Sequence, residues 1–103
     1  MLGSLEEQVM LAVIRTGEGA YGMHVRRELE AVTGRDLTIG SVYATLDRLE
    51  AKGLVTSTRH AAADAASRRI FAVTGQGARS LAQTRATRDR LWTGVSLQSL
   101  LNS

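Results

Sequence analysis

The sequence predicts a mainly α-helical fold with a small two-stranded β-hairpin, and three observations lead to this prediction. Four segments carry apolar residues at helical spacing and are bounded by capping residues or by glycines. Between the third and the fourth, two short segments alternate in side-chain character as strands do. The chain has 103 residues, of which 44% are apolar, and this allows one hydrophobic core. We therefore expect one compact unit, formed by a first part, 1–74, and a C-terminal helix and tail, 75–103.

The first helix is predicted from about Leu5 to Arg15. Ser4 and the acidic Glu7 three residues later form a capping-box pattern that favours a helix start. The run from Val9 to Ile14 is apolar nearly all round, so this helix should be buried on most sides. In so small a chain, one of those sides is expected to face a second subunit.

The second helix is predicted from about Tyr21 to Val32, after a glycine-rich break at residues 17–19. Val25, Leu29 and Val32 form its apolar stripe. Gly34 is a typical C-terminal stop because glycine readily adopts the left-handed conformation found there.

The third helix is predicted to begin after Thr38, a good N-cap residue, and to end at Gly53. Its buried stripe is predicted to consist of Ile39, Val42, Leu46 and Leu49. The opposite side is predicted to carry Ser41, Ala44, Thr45, Arg48 and Lys52.

Two antiparallel strands are predicted next, at Leu54–Arg59 and Arg69–Val73. The alanine-rich segment between them, His60 to Ser67, has no tight-turn signal and is expected to be a long, mobile loop. Thr74 is predicted to cap a last helix over residues 76–92, and Gly94 is predicted to end it. The tail, residues 95–103, could add a final turn.

Composition excludes several kinds of site. The chain has no cysteine, so disulfides and thiolate metal sites are excluded. His24 and His60 lie on different elements and no catalytic spacing is present, so we expect no metal, no cofactor and no enzyme activity.

Residues 1–8 lack the positive charge of a secretory signal, and the apolar run at residues 9–14 is too short to span a membrane. We expect a cytoplasmic protein without a membrane partner.

The basic residues are almost all arginine, although charge alone is weak evidence for a nucleic-acid partner. The net charge is only +3, but twelve of the thirteen basic residues are arginine, which suits phosphate contacts better than lysine does. Two helices joined by a short turn and followed by a hairpin also describe a winged helix-turn-helix. Small side chains such as Ser41, Ala44 and Thr45 would let the third helix enter the major groove of DNA, which is about 12 Å wide.

Other polar residues are predicted to contact DNA around that helix. Arg48 and Lys52 lie further along the helix and can reach base edges or phosphates, and Thr38 lies at its start. The arginines that flank the tip of the hairpin, or wing, can reach the DNA backbone or the minor groove; they are Arg59, Arg68 and Arg69. Arg68 and Arg69 alternate along a strand, so both cannot point the same way.

Three segments resemble the PadR-like family of winged-helix regulators, over about residues 2–82. Ala20–Gly22 is similar to the start of the family's second helix, and Gly40–Val55 is similar to its recognition helix and first strand. Arg68–Gly77 is similar to its second strand and to the cap of the helix that follows. This chain departs from the family in its alanine-rich wing and in the single aromatic residue, Phe71, of its second strand.

The resemblance implies a dimeric, DNA-binding repressor whose C-terminal helix makes much of the dimer contact. It also implies that Tyr21 and Tyr43 lie near the DNA backbone; for Tyr43 the alternative is a packing role on the second helix. An alternative function is a winged helix that binds another protein and no DNA.

The dimer is expected to be built on the first and last helices. The residues predicted to form it are Leu5, Val9, Val13, Leu81, Leu91 and Trp92. Trp92, the only tryptophan, either packs in the dimer or provides a platform for a flat aromatic effector.

Overall fold

The fold was analysed in a computed structural model, which describes residues 2–61 and 67–103. Its elements follow the predicted order with one short strand added. In chain order they are α1 (Ser4–Thr16), β1 (Ala20–Tyr21), α2 (Gly22–Thr33), α3 (Ile39–Ala51), β2 (Val55–Ala61), β3 (Ser67–Val73), α4 (Gly75–Trp92) and α5 (Gln98–Leu101).

The sheet has three antiparallel strands in the order β1-β3-β2, so the prediction of a two-stranded hairpin was incomplete. In β1, Ala20 pairs with Phe71 and Tyr21 pairs with Ile70. A strand of two residues has no alternating pattern for sequence analysis to detect, and Tyr21 was assigned to the second helix. Its backbone is extended, with φ −77° and ψ 157°, and α2 begins at Gly22.

The hairpin itself is longer than predicted. β2 and β3 stay paired from Val55 opposite Val73 to Ala61 opposite Ser67. The two ends of the predicted mobile loop therefore lie in strands. The rest of that loop, residues 62–66, lies outside the described residues, and its mobility stays a prediction.

The start of α1 differs from the predicted capping box. The helix begins at Ser4 with Gly3 as the N-cap, one residue earlier than expected. Glu6 therefore occupies the third helical position, and its Oε1 accepts a hydrogen bond from the backbone N–H of Gly3 at 3.1 Å. Glu7 is buried and forms an ion pair with Arg88 of α4 instead.

The core lies where α1, α2 and α3 meet the sheet. It is formed by buried apolar side chains from every part of this layer: Val9, Met10, Ala12, Val13, Ala20, Val25, Leu29, Leu37, Val42, Leu46, Leu49, Leu54, Val55, Phe71 and Leu81. The predicted stripe of α2 was wrong at Val32, whose side chain is 59% exposed. Val32 lies in the last turn of α2 and borders an open groove between α1 and α2 together with Leu11 and Ile14.

The last helix begins as predicted and then leaves the core. The hydroxyl of Thr74 accepts a hydrogen bond from the N–H of Gly77 at 3.0 Å, which confirms the cap. Gly94 has a φ of +78° two residues after α4, and the tail adds the short helix α5. From Arg85 to Ser103 every residue except Thr87 is exposed. Among the described residues, no helix combines the length and the hydropathy that a membrane span requires.

Candidate nucleic-acid interface

The third helix is anchored by one face and leaves the other open. Val42, Leu46 and Leu49 are fully buried, as predicted, whereas Ile39 of the predicted stripe is only partly buried. The hydroxyl of Thr38 accepts a hydrogen bond from the N–H of Ser41 at 3.1 Å, which confirms the predicted N-cap. The helix is therefore held at its start and along its length by contacts within the protein.

The open side of α3, termed the outward face here, carries small residues and two charges. Its exposed residues are Gly40, Ala44, Asp47, Arg48 and Ala51, and the partly exposed Ser41 and Tyr43 flank them. The short side chains would allow close approach of a partner surface along most of the helix. The major groove of DNA can accommodate a helix of this kind.

Thr45 is not on the outward face, and its predicted exposure was wrong. Its side chain is 0% exposed; the hydroxyl donates a hydrogen bond to the Ser41 carbonyl at 2.9 Å and accepts one from Arg48 Nη2 at 3.1 Å. The spacing could have indicated this burial, because Thr45 lies three residues after Val42 and four before Leu49.

Lys52 points its charge at another helix. Its ammonium group donates a hydrogen bond to Glu6 Oε2 in α1 at 2.7 Å. This bond, followed by the one from the Gly3 N–H, holds the pKa of Glu6 below its ordinary value of 4.5. The predicted DNA contact by Lys52 would require this ion pair to open.

Tyr21 and Arg68, two members of the predicted set, are brought together at the start of α2. The Arg68 guanidinium lies over the Tyr21 ring, 5.3 Å from its centroid, and the Tyr21 ring lies 5.3 Å from that of His24. Arg68 is exposed. Strand β3 thus places a cation next to the first turn of α2.

Arg69 points to the opposite side of the hairpin, which confirms that the two arginines alternate. Its Nη1 donates to Asp47 Oδ1 at 2.7 Å and its Nη2 to Glu50 Oε1 at 2.8 Å. Its guanidinium carbon lies 4.8 Å from the centroid of the Phe71 ring. Hydrogen bonds to these carboxylates, that to Asp47 first, raise the pKa of Arg69. The predicted contact of Arg69 with DNA conflicts with these bonds, because its guanidinium is already engaged inside the protein.

Glu50 completes this group of side chains between α3 and the hairpin. It accepts a hydrogen bond from the hydroxyl of Ser57 at 2.8 Å. The Ser57 hydroxyl and then Arg69 hold the pKa of Glu50 below its ordinary value of 4.5. Arg59, which pairs with Arg69 across the hairpin, is exposed.

Tyr43 packs between the second helix and the sheet. Its ring centroid lies 6.3 Å from that of Phe71, at an angle of 56°. A Cβ atom at Gly22 would collide with the Tyr43 ring, so the tyrosine lies directly against the start of α2. These contacts favour the packing role, and the side chain keeps a partly exposed surface.

The residues predicted to form a dimer are not all on the surface. Val9 and Val13 are buried inside the protomer, so their prediction as contacts with a partner was wrong. Leu5 packs against the core, and Leu81 is buried at its edge. The reason is that the apolar run of α1 faces three elements of its own chain. The exposed apolar side chains of α1 are Leu11 and Ile14, which sequence analysis did not single out.

The end of α4 carries two large, exposed apolar side chains. Leu91 is 70% exposed and Trp92 is 55% exposed, as a contact surface requires. Trp92 borders a groove of about 540 Å³ between α1 and α4. The groove is lined by Glu7, Leu11, Leu81, Ala82, Arg85, Arg88, Asp89 and Trp92.

Asp47 is the residue of this surface that sequence analysis missed. It lies three residues after Ala44 and four before Ala51, which places it on the same face as both. That spacing was a usable signal. An acidic side chain is not expected beside DNA phosphates, which repel it.

Comparisons with known proteins agree on one family. The model of the "Transcriptional regulator PadR-like family" matches residues 10–83. A PadR family regulator from Eggerthella lenta is 27% identical, with a TM-score of 0.71, over 96% of this chain and 88% of that one. A PadR-like regulator from Bacillus cereus is 21% identical, with a TM-score of 0.73, over 96% of this chain and 92% of that one. No curated protein matches the sequence.

Proposed function

The chain belongs to the PadR-like family of transcriptional regulators, and from this premise we propose that it binds a specific duplex DNA sequence through α3, as a homodimer, and represses transcription. The observation that carries the proposal is the outward face of α3. It combines small exposed side chains with a helix held firmly by its buried face and by its Thr38 cap. Such a helix can enter the major groove without reorganising.

Exposed arginines of the hairpin support contacts with the DNA backbone. Arg68 and Tyr21 lie together at the start of α2, and Arg59 is exposed on the hairpin. Phosphate contacts of this kind orient a protein on DNA, whereas base-edge contacts from Ser41 and Arg48 would carry sequence information. Thr45 is no longer part of the proposed reading surface because it is buried.

A binding assay tests the proposal. The chain is titrated against DNA from its own promoter and against a random duplex of equal length, at two salt concentrations. We expect a clear preference for the promoter that persists at the higher salt. Equal, salt-sensitive binding to both, or none, would overturn the proposal and favour the alternative of a protein-binding winged helix.

A matched pair of variants locates the binding surface. Ala44→Glu places a carboxylate on the outward face of α3, where it would be repelled by phosphates, and should abolish promoter binding. Ala78→Glu adds the same charge to an exposed position in the first half of α4 and should leave binding close to that of the parent chain. Equal loss in both variants would argue against α3 as the DNA-binding helix.

The direction of regulation is tested in cells. A reporter driven by the protein's own promoter should become more active when the gene that encodes this chain is deleted and less active when the gene is restored. A fall in reporter activity on deletion would make the protein an activator.

The exposed tryptophan supports a small-molecule effector. Trp92 borders the groove between α1 and α4 together with Arg85 and Arg88, which could bind a flat aromatic compound by stacking and by charge. Because Trp92 is the only tryptophan, its fluorescence reports on this groove alone. We expect flat aromatic compounds to quench it saturably and to lower promoter affinity. Quenching without an effect on DNA binding would argue against an effector role.

A further inference from the structure

One charge on the outward face of α3 does not fit simple attraction to DNA. Asp47 is 58% exposed on that face, and its neighbours one turn away, Ala44 and Ala51, carry only methyl groups. Asp47 is therefore the exposed acidic group of this face. The guanidinium of Arg48 is turned towards Thr45, to which it donates a hydrogen bond at 3.1 Å.

A carboxylate in this position would be repelled by DNA phosphates unless its charge were balanced. Arg69 supplies that balance by donating from Nη1 to Asp47 Oδ1 at 2.7 Å. The same guanidinium is bonded to Glu50 and lies over the ring of Phe71, and its side chain is 25% exposed. Three side chains thus hold the Arg69 guanidinium in place, and the guanidinium in turn orients one oxygen of Asp47.

The other oxygen of Asp47 is available for a partner. Among the described residues, only Oδ1 of this carboxylate has a hydrogen-bond partner. A single oriented acceptor matches a single donor on a base edge. In the major groove cytosine presents only its N4 amino donor, adenine presents a donor beside the N7 acceptor, and guanine and thymine present acceptors. A carboxylate oxygen would be repelled by the N7 of adenine, so cytosine is the best match.

We propose that Asp47 is a specificity-determining residue that accepts a hydrogen bond from the N4 amino group of a cytosine, and that Arg69 is the positioning residue that orients its carboxylate. This inference rests on the proposed function, because it requires α3 to lie in the major groove. Sequence preference then depends on a contact between the hairpin and α3 in addition to the helix itself.

Selection from a randomised duplex library tests the inference. The parent chain should enrich a site with cytosine at one position of each half-site. Asp47→Ala should reduce the preference for cytosine there by about fivefold to tenfold and should leave the other positions unchanged. Asp47→Asn should remove the preference for cytosine, because Arg69 still bonds Oδ1 and the free Nδ2 can only donate, which matches a base that presents an acceptor. Glu18→Gln, which removes an exposed acidic charge outside α3, should select the same sites as the parent chain.

Arg69→Lys separates positioning from charge. Lysine keeps the positive charge but cannot bond Asp47 and Glu50 in the same fork geometry. We expect it to weaken the cytosine preference while binding to a random duplex stays within about twofold of the parent chain.

The outcomes distinguish this inference from the function on which it rests. A parent chain that enriches no site would overturn both. A parent chain that enriches a site, with Asp47→Ala retaining the same cytosine preference, would overturn only the role of Asp47. In that case the carboxylate would be a structural partner of Arg69, and the variant would show a lower thermal midpoint alone.

Discussion

At the scale of single residues, Arg68 and Arg69 show how adjacent positions of one strand take different roles. Arg68 lies over Tyr21 on the exposed side of β3, whereas Arg69 is bonded to Asp47 and Glu50 on the side that faces α3. Strand alternation alone accounts for this division. The two arginines should therefore respond differently to substitution.

Replacing Arg68 by alanine should weaken binding to promoter and random DNA about equally. A phosphate contact acts through counterion release and carries no sequence information, so the slope of log affinity against log salt should become shallower by roughly one unit.

Ser41→Ala should instead reduce the binding free energy on the promoter by about 1 kcal/mol and reduce that on random DNA much less. Titrations of both variants on both duplexes at several salt concentrations measure this. A promoter-specific loss in Arg68→Ala would reverse the assignment.

Acid should destabilise the protein partly through Glu50. The pKa of Glu50 in the folded chain is below its ordinary value of 4.5, so the ionised form is favoured by folding. Its contribution to stability is complete above the unfolded value and is lost as the pH falls through the folded value. Urea unfolding between pH 7 and pH 3 should show a smaller loss of unfolding free energy in Glu50→Gln than in the parent chain. Identical pH profiles would contradict this.

At the scale of elements, the start of α4 is locked against the start of β2. Gly77 lies so close to Leu54 that a Cβ atom would collide with the Leu54 carbonyl, and the Leu54 oxygen also accepts from the N–H of Thr74 at 3.1 Å. The Thr74 hydroxyl donates to the Gly53 carbonyl at 2.7 Å. These contacts set the direction in which α4 leaves the core.

Gly77→Ala should therefore destabilise the fold by about 1–3 kcal/mol, because a backbone carbonyl cannot move aside as a flexible side chain can. Gly75→Ala is the matched control in the same helical turn. There a Cβ atom meets nothing closer than Arg79 Nη1 at 3.5 Å, and the helix should be unchanged or slightly more stable. Thermal unfolding of the two variants gives the comparison. Equal thermal midpoints in the two variants would show that the contact between Gly77 and Leu54 can adjust to a methyl group.

At the scale of the whole molecule, the unusual feature is the exposed apolar side chains at the end of α4 and in α5. Leu91, Trp92, Leu100 and Leu101 are all more than half exposed. On α1 the exposed Leu11 and Ile14 offer a second apolar surface. Exposed apolar surfaces of this kind are typical of protein–protein contacts, and a two-fold dimer that buries the two surfaces against each other would remove both from water. The proposed recognition helices would then lie about 34 Å apart, one turn of DNA, opposite the halves of a pseudo-palindrome.

Light scattering at micromolar concentration should give twice the 11.1 kDa mass of one chain. Leu91→Glu combined with Trp92→Glu should reduce the mass to that of a monomer, because carboxylates would be buried without partners. Ala78→Glu should remain dimeric. A monomer mass for the parent chain would rule out the dimer and leave the apolar end of α4 for another partner.

The sequence by itself determined the order and the limits of the long elements. Helical periodicity located α2 and α3 to within a residue or two, and Thr38 and Thr74 were recognised as caps because capping depends on neighbours along the chain. The outward face of α3 was largely predictable for the same reason. Local spacing states which side chains share a face, and it would also have identified Thr45 as buried and Asp47 as exposed.

Only the tertiary structure decided what each face meets. The added strand β1 exists because β3 lies beside it, and two residues carry no pattern of their own. Val9 and Val13 are buried within the protomer because α2, α3 and the sheet surround α1. Arg69 is bonded to Asp47, 22 positions away along the chain. Such contacts depend on the packing of distant segments, and neither composition nor periodicity encodes which arginine will bind a carboxylate and which will stay exposed.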